Sequence, residues 1–437
     1  MAVPYVFKPE NLKIWYERKG GLWRSDPDRG KDKKMNQRED VVIVSGVRTP
    51  FSKFGGVLRE MHSTDLGVIV IKESLKRAGL KGEDLDEFYY GMCDQAEAAL
   101  KDNVNGRQAL LRAGLPESLV SLTIDRACCS SLCAVHLGRR AILLREADTC
   151  MAVGAENMSN TPLLMNGHRW GGGMKPLLVQ DYLNPITYRE YSPLARDAGE
   201  IAMEYGISRE EQDRWALGSQ KKWAMADKAG KFDEELVPVE VLQKKGTSLL
   251  FKKDEFPKPE TTLEGLAKLQ TIYGSPTVTA GNAPGLDAGA AAVIMMRRSK
   301  AEEMGVKPLA TVISVASGAS KPRKMAELPG FVIQKALDRA GLRIDDMKVI
   351  EINEAFAAVT LVSTKILAGR DETKWRELLE RTNPNGGAIA IGHPVGASGA
   401  RILMTMMYEL KRRGGGFGVC AICGGLAQGD AVLIKVD

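Results

Sequence analysis

The chain has 437 residues, 44% of them hydrophobic and 27% charged, with a formal net charge of +6. This length and balance suit two or three domains with substantial cores and exclude a chain disordered throughout. The positive charge is mild and comes with no arginine-rich tract or aromatic-interleaved basic stripe, which favours anionic ligands over nucleic acid.

Residues 1–39 stand apart as an extension: aromatics are scattered among charges, and RGKDKKMNQRED has neither strand nor helix period. The opening MAVPYVFKPENLKIWYERKGG lacks the apolar centre of a secretory signal and mixes acids with bases, unlike a transit peptide. No apolar run approaches the roughly 18 residues of a membrane helix. A cytoplasmic protein with reduced thiols and no membrane partner is expected, and the odd count of seven cysteines fits it.

The globular part opens with VVIVSGV (41–47), an apolar strand ended by Arg48, Thr49 and Pro50. Helical spacing follows over 64–80, then a strand-like DEFYYGMC, a helical NGRQALLRAGL and a strand in LVSLTID. A helix in SLCAVHLGRRAILLREA and a buried strand in CMAVGAEN complete an alternation that predicts a layered α/β domain over 40–160. Residues 161–274 change character, from NGHRWGGGMKP through a helix over 208–230, and read as an inserted loop domain. PTVTAGNAPGLDAGAAAVIMM (276–296) returns to the first domain over 275–304, and 305–437 repeats the earlier alternation as a C-terminal domain. Ser130 and Ser398 each begin a helix followed, at Met151 and Val419, by a small-residue strand, which suggests two halves of one duplicated unit.

The stretch IDRACCSSLCA (124–134) holds Cys128, Cys129 and Cys133, and Cys420 and Cys423 form C-x-x-C. A helix from 128 turns Cys128 and Cys129 apart, and a strand turns Cys420 and Cys423 to opposite faces. Neither set converges as tetrahedral ligands must, so no metal is expected. A cysteine at the first turn of a helix feels the positive end of the dipole, which favours thiolate, although such a residue is more often inert and packed. Cys128 takes that position. Three further stretches stand out. INEAFAAV (352–359) sets Asn353 and Glu354 before helical spacing, which also reads as a helix cap. NPNGGAIAIGHPVGASGAR (383–401) sets His393 between Gly392 and Pro394, and GVCAICGGLAQGDA (418–431) sets Cys423 against two glycines. Those glycines admit a ligand close to backbone or make tight turns. His62, His136 and His168 have no motif, and surface or core placement is the default, His168 excepted if the insertion borders a substrate tunnel.

From about residue 41 onward the chain resembles the thiolase family, the acetyl-CoA acetyltransferases and 3-ketoacyl-CoA thiolases. VVIVSGVRTPFSKFGG, VGAENMS, YGISREEQDRWALGSQKKWAMA, TVTAGNAPG, NEAFA, NGGAIAIGHPVGASGAR and the C-terminal cysteine-glycine run carry the resemblance. It implies an α/β fold in α-β-α-β-α layers, built from two βαβαβαββ halves with an inserted loop domain. It also implies thiolytic cleavage of a 3-ketoacyl-CoA, or the reverse Claisen condensation, in fatty acid metabolism. Coenzyme A and acyl-CoA would be substrates, no cofactor would stay bound, and the assembly would be a homodimer or a tetramer. By register, Cys128 would attack and carry the acyl group, His393 would take its proton and Cys423 would move the α-proton. Asn353, through a water, and His393 would polarise one carbonyl, and the N–H groups of Cys128 and Gly425 the other. Cys129, Cys133 and Cys420 become packing residues. The chain departs from the family pattern at Pro284, where a serine near the pantetheine arm is usual and Gly285 follows, and at Asp287-Ala288, which replaces an Asn-Asp pair. YSPLARDAGE (191–200) lacks the family's histidine and leaves Leu194 and its neighbours as apolar lining; KPRKMAELPG (321–330) also differs. These changes imply a less common acyl chain. The rival readings are a catalytically silent thiolase-like protein that binds acyl-CoA or a partner, and a decarboxylating ketoacyl synthase.

Overall fold

A computed structural model describes residues 40–98, 102–165, 167, 168, 171, 173, 174, 176–183, 190–243, 246–369 and 371–437, so the extension expected over 1–39 lies outside the described residues. The first half runs β1 (Val41–Arg48), α1 (Ser63–Ala78), β2 (Glu87–Gly91), α2 (Asn105–Arg112), β3 (Val120–Ile124), α3 (Ser130–Leu144) and β4 (Thr149–Asn157). The chain then leaves the sheet, forming among other pieces α4 (Leu194–Glu204) and α5 (Arg209–Lys228), and returns as β5 (Ala288–Arg297). The second half runs β6 (Ala310–Ala319), α6 (Leu328–Ala340), β7 (Met347–Ile352), α7 (Ala357–Leu367), α8 (Val395–Arg412), β8 (Gly416–Gly424) and β9 (Gln428–Val436).

The nine strands join in the order β7-β8-β9-β6-β1-β5-β4-β2-β3. The halves meet at β1 and β6, which pair only through Val42↔Thr311 and Ile43↔Ala310. On either side of that seam the arrangement repeats: β5 lies antiparallel to β1 and to β4, and β9 lies antiparallel to β6 and to β8. Next come the parallel pairs β2 with β4 and β7 with β8. The first half ends on β3. In the second half a single parallel bridge, Ile350↔Thr382, stands in that place. The strand stops there because Asn383 turns left-handed (φ 47°) and Pro384 has no N–H to give a ladder.

Strands β4 and β5 are buried along nearly their whole length and read as continuous apolar runs, because helices cover both faces. Helix α8 packs on α3 and on strands of both halves, and every residue from Val395 to Leu410 is buried. A helix buried all round is a middle layer. Helices α1 and α6 cover the outer faces, giving the five layers. Against expectation, the stretch Ala127–Leu144 is long and apolar enough to match a membrane span. Its 61% burial inside the fold identifies it as a core helix, with Arg139 and Arg140 averaged into an apolar window.

The middle layer closes at backbone distance. A Cβ on Gly154 would stand 2.2 Å from the Gly396 carbonyl oxygen, and one on Gly399 would stand 2.7 Å from Leu132 N. Neither neighbour is a flexible side-chain end, so the helix would have to move away from the sheet. Gly154→Ala is expected to lower stability by about 1–3 kcal/mol, the usual cost of overpacking. A thermal or urea melt measures it, and an unchanged midpoint would show that α8 has room to shift.

Candidate active site

Two turns lead into the two central helices, and each carries one residue singled out in the sequence. In the first, Ala127 adopts a left-handed φ of 48°. Neighbouring side chains satisfy the turn: Ala127 N–H donates to Asp125 Oδ1 and Arg126 N–H to Ser130 Oγ, both at 2.9 Å. The left-handed residue delays the helix, which begins at Ser130 with Cys129 as its cap. Cys128 therefore sits ahead of the first helical turn, not within it as the spacing suggested. It is half-buried, while Cys129 is fully buried and directs its S–H to Ile422 O at 3.5 Å. Cys420 and Cys423 enter different apolar clusters on opposite faces of β8, as strand spacing predicts.

In the second turn, Gly392 has φ 100°, and a Cβ there would meet the Asp287 carboxyl carbon at 2.6 Å. Only glycine meets both demands. His393 N–H donates to Asp287 Oδ2 at 2.7 Å, and the ring Nδ1 lies 2.6 Å from Ser398 Oγ. Ser398 donates its one hydroxyl proton to the Pro394 carbonyl at 2.9 Å and so accepts from the ring. That network assigns the proton to Nδ1 and leaves the Nε2 lone pair facing Asn353 Nδ2 at 3.4 Å. Asn353 is fixed from two sides: its N–H donates to Ala421 O at 3.0 Å, and its Oδ1 accepts from Arg401 Nη2 at 3.3 Å. Arg401 in turn approaches Glu351 at 3.8 Å.

Glu354 does not cap α7, whose cap position belongs to Phe356. Its carboxylate accepts from Trp215 Nε1 at 2.9 Å, Ser219 Oγ at 2.8 Å and Ile389 N–H at 3.0 Å. It thereby fastens α5 of the inserted segment to the chain that leads into His393. Glu156 plays a like part at the end of β4, accepting from the N–H groups of Cys93, Asp94 and Gly396, each at 3.0 Å.

The two turns converge through these ties. Ser131 Oγ accepts from Ala400 N–H at 3.0 Å, and the Arg126 carbonyl lies 3.0 Å from where a Gly424 Cβ would be. Gly425 opens the turn between β8 and β9, in which Leu426 and Ala427 are left-handed. Its N–H meets no backbone acceptor among the described residues.

Burial sets the electrostatics. It pushes the Cys423 thiol up to about 12, and burial followed by the charge of Cys423 pushes Cys128 well above the ordinary thiol range. Burial and then the Arg401 guanidinium push His393 down to about 3. At rest both thiols keep their protons and the imidazole is neutral. Such a set can transfer protons on demand without holding standing charges.

Of the residues expected to touch coenzyme A, Gly285 lines a surface cavity of about 350 Å³ with Leu286, Lys53, Phe54, Phe256 and Lys258. Pro284 is half-buried just before it. Leu194 begins α4 and packs against the apolar cluster that contains Cys423 and Ala283. His136 is a satisfied core histidine, bonded to Ser317 Oγ and Ala431 O at 3.1 Å each. His62 is exposed and His168 half-buried. Sequence reasoning missed Ser398, Arg401, Glu156 and the half-buried Cys93, whose thiol lies within electrostatic reach of Cys128. Ser398 and Arg401 lie five and eight residues past His393 in the same motif, and Glu156 lies in VGAENMS, whereas Cys93 carried no signal.

The family models for the N-terminal and C-terminal thiolase domains match residues 41–299 and 306–436. An acetyl-CoA acetyltransferase of Syntrophomonas wolfei is 41% identical over 403 residues, covering 91% of this chain and 99% of the relative. A β-ketoadipyl-CoA thiolase of Pseudomonas putida is 38% identical over 407 residues with the same coverage. The crystal structure of human mitochondrial 3-ketoacyl-CoA thiolase in complex with CoA shares 35% identity and superposes with a TM-score of 0.84, covering 91% of this chain and 98% of that one. With both domain models matched and relatives aligned over 91% of its length, this chain belongs to the thiolase family.

Proposed function

We propose that this thiolase cleaves 3-ketoacyl-CoA, or makes it by the reverse condensation, through an acyl group carried on Cys128. The observation that carries the assignment of roles is the contact of His393 Nδ1 with Ser398 Oγ, whose own proton goes to the Pro394 carbonyl: it assigns the ring proton to Nδ1 and leaves the Nε2 lone pair, faced by Asn353 Nδ2, to take one. In the cleavage direction the Cys128 sulfur bonds to the ketone carbon and its proton passes to His393 Nε2. The bond between the α and β carbons breaks, and the departing enolate takes a proton from Cys423. The CoA thiol then gives its proton to the Cys423 thiolate and its sulfur bonds to the acyl carbon, and the bond to Cys128 breaks as Cys128 recovers its proton from His393. Asn353 and His393 serve one carbonyl oxygen. Arg401, bonded to the Asn353 oxygen, polarises that amide and strengthens its N–H as a donor. The N–H groups of Cys128 and Gly425 serve the other.

The cavity beside Gly285 supports the coenzyme reading, since Lys258 and Lys53, the latter shared with Glu255 of the same wall, offer cations to phosphates, and Phe54 offers a face to a base while Lys258 lies over Phe256. Pro284 supplies no N–H or hydroxyl, which should weaken CoA binding by about 0.5–1.5 kcal/mol, the worth of one neutral hydrogen bond. Leu194, in the cluster of Cys423, favours a bulkier or branched acyl chain. The reading includes a homo-oligomer, since β3 stands at the sheet edge with Val120 and Leu122 exposed, an edge suited to a second copy. It also places the free thiols in the reducing cytoplasm.

Incubation with acetyl-CoA should add one acetyl group, which peptide mapping finds on Cys128; recovery on Cys129 or Cys93 would overturn the assignment. Cys128→Ser should lose nearly all thiolysis, whereas Cys129→Ala should fold and keep most of it. Equal loss in both would count against the geometry. Ser398→Ala frees the imidazole to turn and should slow acylation roughly tenfold, less than the ~10²–10⁴ of a whole general base. An unchanged rate would show that Ser398 does not set the tautomer. A steady-state survey of 3-ketoacyl-CoA substrates tests the pocket, and a wide preference for acetoacetyl-CoA would remove the case for a bulkier chain.

A further inference from the structure

None of these steps uses the carboxylate that touches the His393 turn. Asp287 is fully buried, its Oδ2 accepts His393 N–H at 2.7 Å, and its Oδ1 has no partner among the described residues. It is a wedge between two glycines. A Cβ on Gly392 would stand 2.7 Å from Oδ2 and 2.9 Å from Oδ1, and one on Gly285 would stand 3.0 Å from Oδ1. The carboxylate thus fills the space between the wall of the Gly285 cavity and the candidate base.

The charged groups around it leave it without a bonded cation. The charges of Asp254, Glu255 and Lys258 act on it, and that of Arg401 acts on His393. Asp254 is already paired with Arg48 at 2.7 Å, and Glu255 with Lys53 at 3.6 Å. Burial pushes Asp287 up, the His393 N–H pulls it back, and Asp254 and Glu255 add to the rise, leaving it at about 7.

Resting on the thiolase reading, we propose that Asp287 is a positioning residue whose ionised form allows His393 to hold the proton it takes from Cys128. A protonated His393 would otherwise face the positive Arg401 and the neutral Ser398 and Asn353. Asp287 supplies the missing negative charge through the backbone of His393 itself, in a buried site where such a charge acts strongly. Neutral Asp287 withdraws that support. Acylation should then follow the ionisation of Asp287, slow below it and fast above it.

The test is single-turnover acetylation of Cys128 by acetyl-CoA, read by intact mass on the full chain and on Asp287→Asn. This half-reaction needs no free CoA thiol, and His393 and the two thiols titrate outside the window. Glu156 and Glu351 titrate near 8, inside it, but the substitution leaves both in place. Between about pH 5.5 and about pH 8.5 the parent rate should rise about tenfold, the effect of one pKa unit of support. Asp287→Asn keeps an acceptor for His393 N–H, so its melting temperature should hold, while its rate stays within about twofold of the slow, acid-side value throughout. A variant that is acetylated with the parent's full pH rise overturns the proposal and leaves the thiolase reading standing. A parent chain that is never acetylated on Cys128 removes the thiolase reading and this proposal together.

Discussion

The site depends on how closely α8 approaches the first half of the molecule. The Gly396 carbonyl sits where a side chain on Gly154 would have to go, and Gly399 leaves no gap above the backbone of α3. Because both central helices are buried between the two arms of one sheet, their N-terminal turns cannot separate independently. One turn presents Cys128 and the other His393. The same approach lets Glu156 hold Gly396 with the 93–94 loop, and lets Ser131 take the Ala400 N–H. The cysteine proposed as the nucleophile and the histidine proposed as its base, far apart in sequence, are thus placed by the packing that holds the halves together.

The second constraint is electrostatic. Burial opposes every charge the chemistry needs, raising the thiols and lowering the imidazole. The chain answers with dipoles and with charges kept one residue back. Ser398 fixes the ring, Arg401 acts behind Asn353, and Asp287 acts behind the His393 backbone. A site of this kind stays unreactive until a substrate carbonyl supplies the place where charge can form, which limits side reactions of Cys128 in the free protein.

Much of the frame was legible because its signals are local. VVIVSGV became β1, the SREE capping box opened α5, and CMAVGAEN became a fully covered strand. Helix starts were less so. The helix expected from Ser398 begins at Val395, since Pro394 is tolerated at its cap, whereas the one expected from Ser130 starts there and leaves Cys128, read as part of its first turn, outside because Ala127 turns left-handed. Nothing in an alanine announces that conformation. Cys128, His393, Asn353 and Cys423 were singled out from unusual segments, most of them glycine-rich, and their proposed roles came from the family resemblance. Their partners were less legible: Glu156 looks like an ordinary acid ending an apolar strand, Asp287 stood out only as a departure from the family pattern, and the meaning of each lies in which distant N–H it receives. Glu354 shows the converse, a residue with a plausible local role as a cap that a tryptophan of the inserted segment claims instead.

The central claim is that the two turns converge on one bound substrate. The most direct measurement is a crystal structure of Cys128→Ala with acetoacetyl-CoA, which removes the attacking sulfur and leaves the rest of the site. The account predicts one carbonyl oxygen within about 3 Å of a water on Asn353, with the carbonyl group beside His393, and the other oxygen at a similar distance from Gly425 N–H. It also predicts the coenzyme leaving along the cavity beside Gly285. A 3-ketoacyl group bound away from both turns, or one that reaches Gly425 while His393 faces only protein, would contradict it.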